Sequence, residues 1–172
     1  MEATRAPMSR LQAPEEAAQP RSEQLLTFMV DGREYGVDIL RVQEIRGWSP
    51  AMPIPNAPPY LRGVINIRGD IVPIADLRHR LGLPSLEYGE TTVVVVLRVQ
   101  LGAKERVMGI IVDAMSDVTS IPAAAVRPPP VLQDGKDALL ARGIAALDDK
   151  MLTILDVDQI FQGIPVATGI TP

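Results

Sequence analysis

Side chains able to do covalent chemistry are few in this chain, and they are badly spaced for it. There is one histidine, His79, set between Arg78 and Arg80, and there is no cysteine. A metal centre would rest on carboxylates with at most one imidazole, short of the nitrogen and sulfur sets that hold zinc and its neighbours. An exposed surface histidine is the better reading of His79. No Ser–His or Cys–His pair has the spacing of an activated nucleophile. Asp148 and Asp149 are adjacent acids, but they stand at the centre of a hairpin pattern, where solvated turn carboxylates are expected. Neither Gly-x-Gly-x-x-Gly nor the Walker spacing occurs, so no phosphate loop is in view. These residues read as a non-enzyme with no metal and no cofactor.

What remains is surface. Arg68-Gly69-Asp70 lies between two apolar runs, residues 64–67 and 71–74, which is the sequence form of a β-hairpin. Gly69 supplies the positive φ of the turn, and Arg68 stands at its tip as a protein-binding anchor. The tripeptide matches a cell-adhesion motif by letters, but in a cysteine-free chain without a signal-peptide core the turn reading prevails. The pattern recurs over residues 142–157. Without a gap, Arg62 meets Arg142, Gly63 meets Gly143, Ile74 meets Ile154 and Asp76 meets Asp156. Arg68 meets Asp148, so the hairpin is shared scaffold and the tip charge is not. A residue that the repeat does not require is a candidate for binding.

The elements that would position these groups are short. With 16 prolines and 13 glycines, the chain suits many turns and strands better than long helices. Residues 1–23 carry no sustained period and read as a flexible tail; residues 164–172 read as frayed. Leu26, Phe28 and Val30 alternate ahead of an Asp31-Gly32 turn, with a return strand behind it. Residues 39–45 fit either a short helix capped by Asp38 or a helical turn running into a strand. Asp76 and Asp156 each open a short helix. The run Thr92-Val93-Val94-Val95-Val96-Leu97 lacks polar alternation, so both of its faces should be covered. Met108-Gly109-Ile110 then stands where Tyr35-Gly36-Val37 stood, and Met115 where Val42 stood. The expected fold is mainly β: two small five-stranded SH3-like barrels packed together, with short helices. The first barrel is expected over about 24–82, with a crossover at the termini, and the second over about 91–161, with residues 83–90 as the boundary.

A formal net charge of −4 with no cluster of lysines or arginines argues against nucleic acid and anionic membrane as partners. The first twenty residues lack the apolar core of a signal peptide, and the run 93–97 is far below the roughly 20 residues that span a bilayer. A cytoplasmic protein is expected.

Longer stretches carry a resemblance. Tyr35-Gly36-Val37-Asp38-Ile39-Leu40-Arg41-Val42-Gln43-Glu44-Ile45 is similar to the signature of CheW, the coupling protein family of bacterial chemotaxis. So are Asn66-Ile67-Arg68-Gly69-Asp70-Ile71-Val72-Pro73-Ile74-Ala75-Asp76-Leu77-Arg78 and Gly109-Ile110-Ile111-Val112-Asp113. The likeness continues in order over about residues 25–161. It implies two SH3-like barrels and no enzymatic activity. It also implies an adaptor between the cytoplasmic tip of a chemoreceptor, which is a helical hairpin, and the regulatory domain of the chemotaxis histidine kinase, in a membrane-associated signalling array. By this resemblance, receptor contacts fall on Val42, Glu44, Gly63 and Arg68, and kinase contacts on Thr92, Val93, Gly109 and Met115. A second kinase contact follows Arg127-Pro128, where Leu132 stands in place of an aromatic residue. Two other readings remain: a CheW-like adaptor of a non-flagellar chemosensory pathway, and a small-barrel module that binds nucleic acid.

Overall fold

A computed structural model describes residues 21–129 and 139–162. Its ten strands are β1 (Ser22–Val30), β2 (Arg33–Asp38), β3 (Val42–Gly47), β4 (Leu61–Ile67), β5 (Asp70–Asp76), β6 (Val93–Leu101), β7 (Lys104–Val112), β8 (Ala114–Pro122), β9 (Ala141–Leu147) and β10 (Lys150–Leu155). One-turn helices α1 (Leu77–Arg80) and α2 (Val157–Ile160) follow β5 and β10, each capped by the aspartate just before it, Asp76 and Asp156. The strands form two five-stranded sheets, in the orders β8-β1-β2-β10-β9 and β3-β6-β7-β5-β4.

Local sequence explains most of these elements. Asp31 and Gly32 both take positive φ, making a two-residue turn that pairs Val30 with Arg33. Residues 39–41 are a 3-10 turn whose Leu40 N–H donates to Asp38 Oδ1 at 2.9 Å. The chain then extends as β3, so the turn-into-strand alternative is the one realised. Residues 94–97 of β6 show no alternation because both of their faces are buried. Val95, Leu97 and Val99 enter a core between the sheets, while Val94 and Val96 enter one enclosed by β4 and β5. A third core, of Leu25, Ile121, Ala145, Leu152 and Ile154, fills the other unit.

The expected division into barrels at 24–82 and 91–161 is redrawn by the topology. One sheet is continuous in sequence from β3 to β7, straight through residues 83–90; the other joins β1–β2 to β8–β10. Each half of the repeat thus lends its first hairpin to the other half's three strands. Both copies carry the same strand pattern, so the pattern cannot say whose hairpin pairs with whom. The expected tail also shortens, because Ser22 is already paired with Pro122 in the ladder. The expected tails at residues 1–20 and 164–172 lie outside the described residues.

The chain crosses between sheets twice, through residues 39–41 and through Asp113, and each crossover is gripped by an ion pair. Arg78 Nε and Nη2 donate to Asp113 Oδ1 and Oδ2, both at 2.8 Å, and its Nη1 donates to the Pro84 carbonyl at 3.0 Å. Arg41 Nη1 and Nη2 donate to Asp158 Oδ1 and Oδ2 at 3.0 and 2.7 Å. Positions 78 and 158 are equivalent in the two helices, yet one is a cation and the other an anion. Burial pushes both carboxyls upward, but it is outweighed. The Arg78 hydrogen bonds, the Asp31 N–H and the Arg78 charge hold Asp113 below its ordinary value. Arg41 and the Gln100 N–H do the same for Asp158. Their folded pKa values being depressed, the stabilisation is present above the ordinary carboxylate range and is lost as pH falls through the lowered values. Thermal unfolding should therefore show a loss of stability below about pH 4. Arg78→Met should cost about 1–3 kcal/mol at neutral pH, discounted for partial exposure, and should flatten that acid limb. Unfolding midpoints from pH 2 to 7 for both proteins check this, and parallel acid limbs would refute it.

Candidate functional site

The expected receptor residues are positioned by the way a five-stranded sheet closes on itself. Strands β3 and β4 are opposite edges of one sheet, and the connection after β3 swings back to join them. Met52 N–H donates to Val64 O and Val64 N–H to Met52 O, both at 2.8 Å. Gly63 lies beneath this bridge with φ +146°, where a Cβ would run into the Met52 carbonyl. The glycine is thus a matter of close backbone approach. The other unit closes the same way through Arg127 and Ile144, over Gly143.

Across that seam Arg68 Nη1 comes within 2.9 Å of Glu44 Oε2, an ion contact without the alignment of a hydrogen bond. Arg46 lies 3.4 Å from the other carboxylate oxygen. Glu44 is largely buried at 17% side-chain exposure, whereas Arg68 stands 76% exposed. Arg68 occupies the first position of the β4–β5 turn at φ 53°, followed by Gly69 at φ 92°. A left-handed conformation suits Gly or Asn better than Arg and stores a modest strain at the tip. Val42 is half-buried against the core between the sheets, and past the bulge that follows it Ile45, on the same face of β3, is exposed. Glu44 and Arg68, 24 positions apart in sequence, are therefore brought together, with Gly63 at the same closure and Val42 two residues along β3.

The expected kinase residues sort differently. Val93 opens β6 opposite Gly47 and Val112, and Met115 lies on β8 opposite Phe28; both are half-buried at the rim of the central core. Thr92 is buried: its Oγ1 accepts from Gly89 N–H at 2.8 Å and its carbonyl accepts from Trp48 N–H at 3.1 Å. Gly109 is buried beside Ile74, whose Cδ1 would lie 2.6 Å from an added Cβ. Thr92 and Gly109 therefore shape the strands, and Val93 and Met115 carry the side chains that reach the surface. Leu132 lies outside the described residues.

Two features were not visible in the sequence. One is the pair of crossover clamps. The other surrounds Asp76, which is 1% exposed. Its Oδ2 accepts from the Tyr88 hydroxyl at 2.6 Å and lies 3.5 Å from Arg62 Nη2. The Tyr88 ring rests on Trp48, with centroids 4.3 Å apart. Burial, then the hydrogen bond to Asp76 and its charge, push the phenol up to about 12. A signal existed in the lone tryptophan and in the one aromatic residue of the link, but nothing in the spacing joined them. Among the described residues no cluster of three or more His, Cys, Asp or Glu could hold a metal, and no helix is long and apolar enough to cross a membrane.

Comparison with known proteins finds relatives over most of the chain. The family model for the CheW-like domain matches residues 24–164. The chemotaxis protein CheW of Klebsiella aerogenes is 40% identical over 144 residues, covering 84% of this chain and 84% of that protein. That of Rhizobium meliloti is 38% identical over 138 residues, 80% of this chain and 86% of its own length. Among solved structures, the scaffolding protein TtCheW from Thermoanaerobacter tengcongensis superimposes with a TM-score of 0.74 at 30% identity, over 84% of this chain and 94% of that one.

Two glycines at the site make opposite demands, which gives a test of the closure. Gly63→Ala should cost more than about 2 kcal/mol, because strain and a backbone collision add. Gly69→Ala meets open space and should cost only about 1 kcal/mol of strain. Denaturant unfolding of the two variants decides it; equal losses would contradict the closure argument.

Proposed function

The chain belongs to the CheW family, and from that premise we propose that it is a non-enzymatic coupling adaptor in chemotaxis signalling, joining a chemoreceptor's cytoplasmic tip to the histidine kinase's regulatory domain. The observation that carries this reading is the Glu44–Arg68 contact across the barrel seam. It sets a largely buried anion beneath an exposed cation, with Val42 and the exposed Ile45 on the same strand, a surface suited to a helix with polar flanks. The proposed receptor face is Val42, Glu44 and Arg68, with Gly63 holding the closure. The proposed kinase face is Val93 and Met115, shaped by Thr92 and Gly109. Both partners being cytoplasmic, the adaptor works there and reaches the membrane only by recruitment into receptor arrays.

The nucleic-acid reading is not favoured, since the net charge is −4 and the arginines at 41, 78 and 142 are engaged in ion pairs. A pull-down of the purified chain with a receptor cytoplasmic fragment and with the kinase regulatory domain tests the proposal. A folded protein that retains neither would end it.

Strain at the tip separates binding from folding. Arg68→Asn places a residue that tolerates positive φ where arginine does not. Its unfolding midpoint should be unchanged or higher, while receptor-fragment affinity should fall about tenfold and kinase-domain affinity should stay within about twofold. Titration calorimetry with each partner reads this, and equal loss to both would contradict the division of faces.

A further inference from the structure

Residues 81–92 connect α1 to β6 and lie between the two proposed faces. They are pinned at both ends. Leu83 N–H donates to Arg78 O at 2.8 Å, and the Arg78 guanidinium reaches the Pro84 carbonyl. At the far end Gly89 and Thr92 close on each other, through Thr92 N–H to Gly89 O at 3.2 Å and Gly89 N–H to Thr92 Oγ1 at 2.8 Å. Between them Tyr88 turns inward, away from the exposed Ser85, Leu86 and Glu87. Its hydroxyl meets the buried Asp76 carboxylate, and its ring meets Trp48, whose own N–H donates to the Thr92 carbonyl. Tyr88 thus ties Gly89, its chain neighbour that closes on Thr92, to the buried Asp76, and packs on Trp48, whose backbone N–H holds the Thr92 carbonyl. The same carboxylate faces Arg62, next to Gly63 on the receptor side.

The fold does not need this contact. Asp156 is the equivalent of Asp76 and caps α2 through Asp158 N–H at 3.0 Å and Gln159 N–H at 3.4 Å. No tyrosine stands over it, and Arg142, the equivalent of Arg62, turns to Glu23 instead. A cap that works without a phenol in one unit has acquired one in the other, on the side where the kinase face is proposed.

We infer that Tyr88 is a positioning residue for the kinase face, holding the Thr92–Val93 corner in place through its hydroxyl on Asp76 and its ring on Trp48. The inference rests on the adaptor reading above. A charge-assisted hydrogen bond to a carboxylate that is otherwise buried is strong and directional, so it fixes the link better than ring packing alone. The raised phenol pKa keeps the proton on that hydroxyl throughout the physiological range.

Tyr88→Phe in the full chain keeps the ring on Trp48 and removes only the hydroxyl. Affinity for the kinase regulatory domain should fall about three- to tenfold, with receptor-fragment affinity within about twofold. Trp48 is the single tryptophan, so its emission reports the corner directly. Adding kinase domain should shift that emission in the wild type and shift it less in Tyr88→Phe. Tyr88→Leu, which also removes the ring, should lose more kinase affinity than Tyr88→Phe. A Tyr88→Phe protein that unfolds earlier but binds the kinase domain as the wild type does would overturn the inference, leaving a structural hydrogen bond. Equal loss of both partners would overturn it as well. If the wild type binds neither partner, the adaptor reading falls and takes the inference with it; if the wild type binds both and only the variant's expected loss is missing, the inference alone falls.

Discussion

Two short crossings hold this molecule together. The chain leaves one sheet for the other through residues 39–41 and returns through Asp113, and neither passage has slack to adjust the angle between the units. At each passage a guanidinium and a carboxylate meet through two parallel hydrogen bonds, a planar match that fixes orientation as well as distance. Around these points a core forms between the sheets, fed by β1 and β2 from one side, β6 and β7 from the other, and the two one-turn helices. Helices of four residues have no stability of their own. They persist because Leu77, Val157 and Ile160 are buried and because their second positions hold the crossings.

The inverted signs at positions 78 and 158 bear on specificity. A first half docked on a second half sets Arg78 against Asp113 and Asp158 against Arg41. Two first halves docked together would set Arg78 beside Leu40 and Arg41, and two second halves would set Asp158 beside Asp113 and Ala114, with no opposite charge at either clamp. A charge left without its partner in a partly buried site counts against the wrong pairing. The repeat has kept its strands and glycines alike while making its clamps complementary, so a first half is matched to a second half rather than to another first half.

Binding character arises where the two units differ. Both close their rings over a glycine, and both have hairpin tips with positive φ at the first turn position, Arg68 and Asp148. Only the first places a cation there, with Glu44 beneath it; the corresponding position on β8 is Asp117. Only the first has a tyrosine over its helix-capping aspartate. A common scaffold thus carries one tip held by an ion pair and one tip that is acidic and solvated. Membership of the CheW family fits a coupling adaptor, and a scaffold needs distinct surfaces more than it needs chemistry.

Sequence alone determined what depends on near neighbours. The turns at Asp31-Gly32 and Arg68-Gly69, the caps at Asp76 and Asp156 and the doubly buried run after Thr92 all follow from spacings of a few residues. So does the likeness to CheW. Tertiary structure decided what depends on distant partners. It chose which hairpin joins which sheet, because two copies of one pattern are interchangeable on paper. It buried Thr92 and Gly109 and left Val93 and Met115 at the rim, because exposure is settled by the sheet that lies opposite. It also joined Arg41 to Asp158, 117 positions away, and Tyr88 to Asp76 across a link. Charged and polar groups read as surface until the fold supplies the carboxylate that buries them, and no local pattern states where that carboxylate will be.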